Sequence, residues 1–367
     1  MCSDQARGVE LESSFHVAGR LLGDEEHPCW IVAEISANHR QDRKEAAALI
    51  RAAAEAGADA VKTQTYRPET MTLPLREGPF LHRSAGSLWA GRSLWDLYEE
   101  GYLPWEWQSE LKQVAEDAGL AYFSSAYDRS SVDFLDRLEV PALKIASFEL
   151  VDLHLIEYAA STGRPLILST GMATLEEVQE AVDAARSGGA RRLVLLKCTS
   201  SYPTRSCEVH LRGMVTLARR FRTPVGFSDH TPGVEAATAA VAAGASVVEK
   251  HFLRENAATL DAEFSLAADG FRRMVEAIRR VEILLGRAEL GPLPCEEESL
   301  GFRRSLYVVR DIRAGEVFTE DNIRSIRPAG GLAPKLLPRV LGRRAKRGLR
   351  RGEALKVEDV EGWAGEP

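Results

Sequence analysis

Short apolar runs alternate along most of the chain with longer stretches in which apolar residues return at helical spacing. The first pattern predicts buried strands and the second amphipathic helices. Strands are predicted at 30–35, 60–64, 121–124, 142–145, 165–168, 193–196, 225–227 and 245–248. Helices are predicted at 42–56, 105–118, 129–138, 152–161, 174–187, 206–221, 233–242 and about 269–285, several ended by glycine as at Gly57 and Gly119. Eight strand–helix units in succession predict an α/β fold of the (β/α)8 TIM-barrel type. No Gly-x-Gly-x-x-Gly turn follows a strand, which weighs against a dinucleotide-binding sheet. The stretch 66–102 is too long for a simple connection; it is expected to be a functional insertion or a lid.

In such a barrel the reacting groups sit where the strands end. Here the ends read Glu34, Lys62 with Gln64, Ser124 with Ser125, Lys144 with Ser147, Ser169 with Thr170, Lys197, Ser228-Asp229-His230, and Glu249-Lys250-His251. Lysines and hydroxyls are the donors that a phosphate or carboxylate needs, so the four lysines Lys62, Lys144, Lys197 and Lys250 imply an anionic substrate. His230 and His251 end adjacent strands; beside Asp229, Glu249 and Lys250 they suit a divalent metal. Such a metal polarises a carbonyl oxygen or activates water. Glu34 is expected to serve as a general base or to hold a substrate hydroxyl. His39 reads as shaping the first loop, Trp105 and Trp107 as helix packing, and Met71, Met172 and Met214 as core.

Charge and composition change the picture at the C-terminal end. The net charge is -7. Residues 302–351 carry 14 Lys/Arg against 4 Asp/Glu, so the body before them is strongly acidic. No aromatic interleaving accompanies the basic stretch, so docking on an acidic body is the expectation rather than nucleic acid. Gly, Pro and Glu cluster around 286–300, which sets the expected boundaries: a barrel at 1–290, a linker at 291–301 and a small β-rich domain at 302–367. No run is long and apolar enough for a membrane span, and Met1-Cys-Ser-Asp-Gln lacks signal-peptide character. Five scattered cysteines (Cys2, Cys29, Cys198, Cys207, Cys295) fit reduced thiols in a cytoplasm.

The motifs Ala33-Glu-Ile-Ser-Ala-Asn-His, Gly57-Ala-Asp-Ala-Val-Lys-Thr-Gln-Thr-Tyr, Lys144-Ile-Ala-Ser-Phe-Glu, Ser169-Thr-Gly-Met-Ala, Lys197-Cys-Thr-Ser-Ser-Tyr-Pro, Ser228-Asp-His-Thr and Glu249-Lys-His-Phe resemble those of the sialic acid synthases, which condense phosphoenolpyruvate with an amino sugar. Arg304-Ser-Leu and Ile326-Arg-Pro-Ala-Gly-Gly-Leu-Ala-Pro are similar to the antifreeze-like (SAF) domain that closes chains of this family. The resemblance runs from about 28 to 360. Ser36-Ala-Asn-His, Thr65-Tyr-Arg-Pro-Glu-Thr-Met-Thr-Leu and Leu94-Trp-Asp-Leu-Tyr are most similar to the pseudaminate-forming branch, whose substrate is a 2,4-diacetamido-2,4,6-trideoxy hexose of altro configuration. The N-acetylneuraminate and legionaminate branches are the near alternatives.

The resemblance implies that His230 and His251 bind a divalent metal, Mn2+ first and Mg2+ or Co2+ as alternatives. It implies that Lys62, Lys144, Ser125, Ser147, Ser169, Ser200 and Ser228 contact phosphoenolpyruvate, and that Glu34, Gln64, Tyr202 and Asp261 lie near the sugar. Arg327 corresponds to the antifreeze-like arginine that reaches over the partner's barrel in a domain-swapped homodimer, which gives the basic tail an acidic partner. The chain departs from the family pattern at Arg40, at Ser124-Ser-Ala-Tyr-Asp and at Arg254-Glu-Asn-Ala-Ala-Thr, just before Asp261. Two other classes compete: a Schiff-base aldolase using Lys144 or Lys250, and a non-catalytic binding protein working through its tail.

Overall fold

The computed structural model describes residues 9–24, 27–83, 89–255 and 258–363. It forms two compact units, Met1–Arg287 and Ala288–Pro367. The first opens with a hairpin, β1 (Phe15–Val17) and β2 (Arg20–Leu22). Ala18 and Gly19 both take positive φ, at 49° and 79°, as a tight turn matched to strand twist demands. This hairpin was not foreseen, because three-residue strands leave almost no periodic signal. It buries Phe15, Val17 and Leu22. Its flanks bond to the strand starts of the barrel: Glu12 N–H to Arg191 O at 2.9 Å and Gly23 N–H to Ser246 Oγ at 3.2 Å.

The barrel strands and helices follow in alternation: β3 (Trp30–Glu34), α1 (Arg43–Glu55), β4 (Ala60–Thr65), α2 (Pro68–Met71), α3 (Leu94–Gly101), α4 (Gln108–Asp117), β5 (Ala121–Ala126), α5 (Arg129–Arg137) and β6 (Leu143–Ile145). Then come α6 (Leu153–Ser161), β7 (Leu166–Ser169), α7 (Leu175–Ser187), β8 (Leu193–Cys198), α8 (Arg212–Phe221), β9 (Val225–Asp229), α9 (Glu235–Ala242), β10 (Val247–Leu253), β11 (Leu266–Ala267) and α10 (Ala268–Leu285). Strands β3 to β10 pair in parallel in chain order, and β10 returns to β3, which closes an eight-stranded TIM barrel. Side-chain caps start several of the helices: Asp42 accepts from Lys44 N–H at 2.7 Å, and Thr174 with Glu177 forms a capping box before α7.

The insertion after β4 carries α2 and α3. Two local expectations are corrected. The helix expected at 206–221 begins only at Arg212, because His210 takes a left-handed φ of 47° that a right-handed helix cannot continue through. Met172 is 61% exposed rather than core, while Met214 is buried.

The second unit contains α11 (Glu297–Leu300), β12 (Ser305–Val308), β13 (Ile323–Ile326) and α12 (Leu337–Val340). Strands β12 and β13 are antiparallel. Leu306, Val308, Phe318, Ile323, Val340 and Leu355 are among the residues of its own apolar core.

Candidate active site

Side chains alternate along a strand, so one of every two strand-end groups faces the barrel axis and the other faces the helices. The contacts fix the phase. On β10, Glu249 and His251 share one face and Lys250 takes the other. Lys250 is fully buried, paired with Asp229 at 2.8 Å and bonded to Thr231 O. Lys197 turns away on β8: its Nζ donates to Cys198 O at 2.6 Å, and its stem lies against Gly213 of α8, where a Cβ would sit 3.3 Å from Lys197 Cε. Two of the four lysines expected at the rim are therefore structural, as is Asp229. A sequence of polar strand ends does not reveal this, because the outer face of the barrel is also buried under helices.

We expect Lys250→Met to lower stability by about 3–5 kcal/mol, because it strands a buried Asp229 charge. Urea denaturation reads this directly; an unchanged midpoint contradicts the structural role.

The inward set converges. Lys62 forms an ion pair with Glu34, lies 3.7 Å from Glu249, and donates to Ser125 Oγ at 3.0 Å. Lys144 lies 4.0 Å from Glu249, which accepts from Ser228 Oγ at 3.1 Å. Glu249 thus joins both lysines; its signal was its spacing of two from His251, which puts the two on one strand face. Ser169 is buried, and its hydroxyl has no hydrogen-bond partner among the described residues. Ser147 and Ser200 meet across Gly171: a Cβ there would collide with Ser200 Oγ at 2.2 Å and Ser147 Oγ at 2.7 Å. A side chain at Gly171 would therefore displace two of the predicted hydroxyls.

Burial disfavours every charge in this set, and the neighbours decide which survive. Lys62 is held above its usual range: Glu249 and Glu34 outweigh burial. Lys144 is lowered by burial. Burial opposes ionisation of Glu249, but Lys144 and Lys62 outweigh it and hold its carboxyl low. Glu34 is raised to about 6 by burial, with Glu249 adding to it against the pull of Lys62. Glu149, beyond β6, was not predicted. Its Oε2 is buried without a partner among the described residues, and burial raises it to about 7. Glu34 and Glu149 are therefore two carboxyls able to exchange a proton near neutral pH.

The imidazoles of His230 and His251 stand 5.3 Å apart between ring centroids. His230 Nδ1 donates to Thr199 O at 3.0 Å, which leaves Nε2 as a lone pair. His251 is kept neutral, its pKa well below the usual range through burial and the cationic side around it. Its Nδ1 is buried without a hydrogen bond among the described residues, 3.9 Å from Asp261 Oδ2. No cluster of three or more His, Cys, Asp or Glu suited to a metal occurs among the described residues. Nε2 of His230, on the side of the ring away from Thr199, and the orphaned buried Nδ1 of His251 nonetheless fit a divalent ion whose remaining positions are left to water or substrate.

On the other side of His251, Asp261 accepts from Ser36 Oγ and from Ala37 N–H at 3.3 Å, and Gln64 Nε2 donates to Ser36 Oγ at 3.1 Å. Asn38 ties this region together, donating to Phe252 O at 2.8 Å and accepting from Thr259 Oγ1 at 2.5 Å. The divergent loop is anchored by Arg254, whose guanidinium meets Glu45 at 3.1 Å; Asn256 and Ala257 lie outside the described residues. Tyr202 packs against His230 at 4.4 Å between centroids. His39 is buried, and its Nδ1 accepts from Gln41 N–H at 3.0 Å, as a loop-shaping residue does. Arg327 follows β13 in the second unit.

Residues 49–289 match the NeuB family, and 303–361 match the SAF domain. The pseudaminic acid synthase of Helicobacter pylori is 42% identical over 91% of this chain and 98% of its own length. The N,N'-diacetyllegionaminic acid synthase of Legionella pneumophila is 34% identical over 91% of this chain and 95% of its own. Among solved structures, the N-acetylneuraminic acid synthetase of Leptospira borgpetersenii superposes with a TM-score of 0.71 at 28% identity, over 79% of this chain and 96% of that one. With eight closed strands, the convergent polar rim and these matches, the chain belongs to the NeuB family.

Proposed function

We propose that the protein acts as a pseudaminic acid synthase, condensing phosphoenolpyruvate with 2,4-diacetamido-2,4,6-trideoxy-altropyranose to give pseudaminate and phosphate. The observation that carries the reaction class is the pairing of two buried, inward lysines with two adjacent imidazoles on one rim. The choice of sugar is supported by the higher identity to the H. pylori synthase, 42% against 34% for the legionaminate enzyme.

In this reading Lys62 and Lys144, with Ser125, Ser147, Ser169, Ser200 and Ser228, hold the phosphate and carboxylate of phosphoenolpyruvate. Gln64, Tyr202 and Asp261 hold the open-chain sugar, with Glu34 at the junction. His230 and His251 would hold a divalent ion, Mn2+ by preference, which supplies Lewis-acid polarisation of the aldehyde oxygen when bound. C3 of phosphoenolpyruvate bonds to the aldehyde carbon, whose oxygen becomes a hydroxyl. Water adds to the electron-poor C2, and phosphate leaves with cleavage of its C–O bond. Glu34 and Glu149, whose carboxyls burial raises to about 6 and about 7, would take the proton from water and return one. Phosphoenolpyruvate as donor supports a cytoplasmic setting for this reading. No helix among the described residues is long and apolar enough to cross a membrane.

The test is phosphate release with phosphoenolpyruvate and each of the three candidate amino sugars, with and without chelator. Release with the diacetamido-altrose, lost on chelation and restored by Mn2+, is expected. Release with another sugar overturns the substrate; no release with any overturns the synthase. Borohydride trapping of substrate on Lys144 would establish the aldolase instead.

The working form in this reading is a domain-swapped homodimer, supported by the basic stretch 302–351 and the acidic body before it. Sedimentation is expected to give a dimer, and Arg327→Ala to lower kcat/KM about tenfold, as loss of one charge-assisted contact does. A fully active monomer would sink the swap.

A further inference from the structure

The insertion after β4 reaches the imidazole end of the site. Its chain doubles back on itself: Leu81 bridges Ser93, His82 N–H bonds Arg92 O at 2.9 Å, and Gly91 N–H bonds His82 O at 2.8 Å. This arm places Trp89, half-buried, 5.9 Å from Tyr202 and 6.3 Å from Phe264 between ring centroids. Phe264 in turn packs on His251 at 4.7 Å, and Tyr202 on His230 at 4.4 Å. The four rings and Trp89 form one continuous aromatic wall, with the indole a ring further out than Tyr202. The indole orientation is pinned: Nε1 donates to Leu260 O at 3.2 Å, the residue before Asp261. The one polar atom of the indole is directed to the loop that carries Asp261, so what the ring offers elsewhere is apolar surface.

We propose that Trp89 is a specificity-determining residue that forms the outer wall of the sugar subsite and selects sugars with apolar substituents at the end remote from the aldehyde. The inference rests on the synthase reading above. With the aldehyde at His230 and His251, the sugar chain runs outward past Tyr202, and its C4–C6 end meets the indole. A 4-acetamido methyl and a C6 methyl pack there; hydroxyls at C4 and C6 lose water and gain no partner from an aromatic face. Apolar walls of this kind discriminate by about 10- to 200-fold for a methylene-sized difference.

The experiment compares the wild-type protein with Trp89→Ala and Trp89→Phe. The probes are 2,4-diacetamido-2,4,6-trideoxy-altrose and N-acetylmannosamine, which carries hydroxyls at C4 and C6. Where a sugar does not turn over, its inhibition constant replaces KM. Trp89→Ala is expected to raise KM for the diacetamido sugar about tenfold and to lower the preference between the sugars by a similar factor. KM for phosphoenolpyruvate should stay unchanged, and Trp89→Phe should recover most of the preference. An equal loss for both sugars, or an unchanged ratio in both variants, overturns the proposal. If the wild-type protein prefers another acetamido sugar, the substrate assignment fails on its own. The inference is then read on that sugar where it carries apolar C4–C6 substituents, and stands only if the ratio falls in Trp89→Ala; a wild-type preference for N-acetylmannosamine overturns it.

Discussion

Replacing His230 or His251 with alanine is expected to abolish turnover, by about 10³-fold or more, and to leave the fold intact. The two imidazoles sit at the rim, outside the apolar cluster that holds the barrel together. Truncating either removes ring packing with Tyr202 or Phe264, a loss of about 1 kcal/mol. The loss of function is far larger, because the two adjacent imidazoles are the pair proposed to hold the divalent ion. The Thr199 carbonyl accepts from His230 Nδ1 and so fixes how that ring is presented. Metal content by mass spectrometry, circular dichroism and phosphate release are to be measured together. Wild-type metal content and activity in either variant would remove the metal assignment.

Lys62→Met is expected to lower activity by a comparable factor and, unlike the histidine variants, to destabilise the protein. Lys62 is buried between Glu34 and Glu249. Without it, two carboxylates remain in a low-dielectric site with Lys144 as the nearest described cation, 4.0 Å from Glu249. Breaking a buried pair in this way costs about 3–5 kcal/mol.

The loss depends on pH. The folded pKa of Glu34 already stands at about 6, above its ordinary value of 4.5. Losing Lys62 removes the main influence that lowers it, so the folded value rises further. A carboxyl raised in the folded state weakens stability as pH climbs from the unfolded pKa through the folded one, and the penalty is constant above that. The stability difference from wild type is therefore expected to be larger at pH 8 than at pH 5. Equal differences at the two pH values would contradict the charge argument. Adding Glu34→Gln to Lys62→Met should return stability without activity, which separates the structural cost from the loss of the proposed phosphoenolpyruvate contact.

Much of the architecture was legible along the chain. Each of the eight strands is a short apolar run, and the long helices carry their own apolar stripes, several with a side-chain cap, so local spacing sets their order. The histidine pair was equally legible, since each lies at the end of a strand and those strands are neighbours in a closed barrel. Glu34, Lys62, Ser125, Lys144 and Ser228 were found for the same reason, and the structure brings them to one rim.

What the sequence could not decide was phase. Lys197 and Lys250 look the same as Lys62 and Lys144 when read as polar strand ends. Only the register of β8, β9 and β10 shows that they point under the helices, with Lys250 on Asp229. In an open sheet the outward lysine would be solvated and the pattern would alternate visibly. In a barrel both faces are buried, so the pattern does not betray them. Glu249 was obscured for the same reason until His251 fixed the face. The approach of Trp89 to Tyr202 and Phe264 depends on contacts across 113 and 175 residues of chain. Local spacing determined the elements and the histidine pair; the pairing of strands and the path of the insertion decided which side chains share the cavity, because those are long-range geometry.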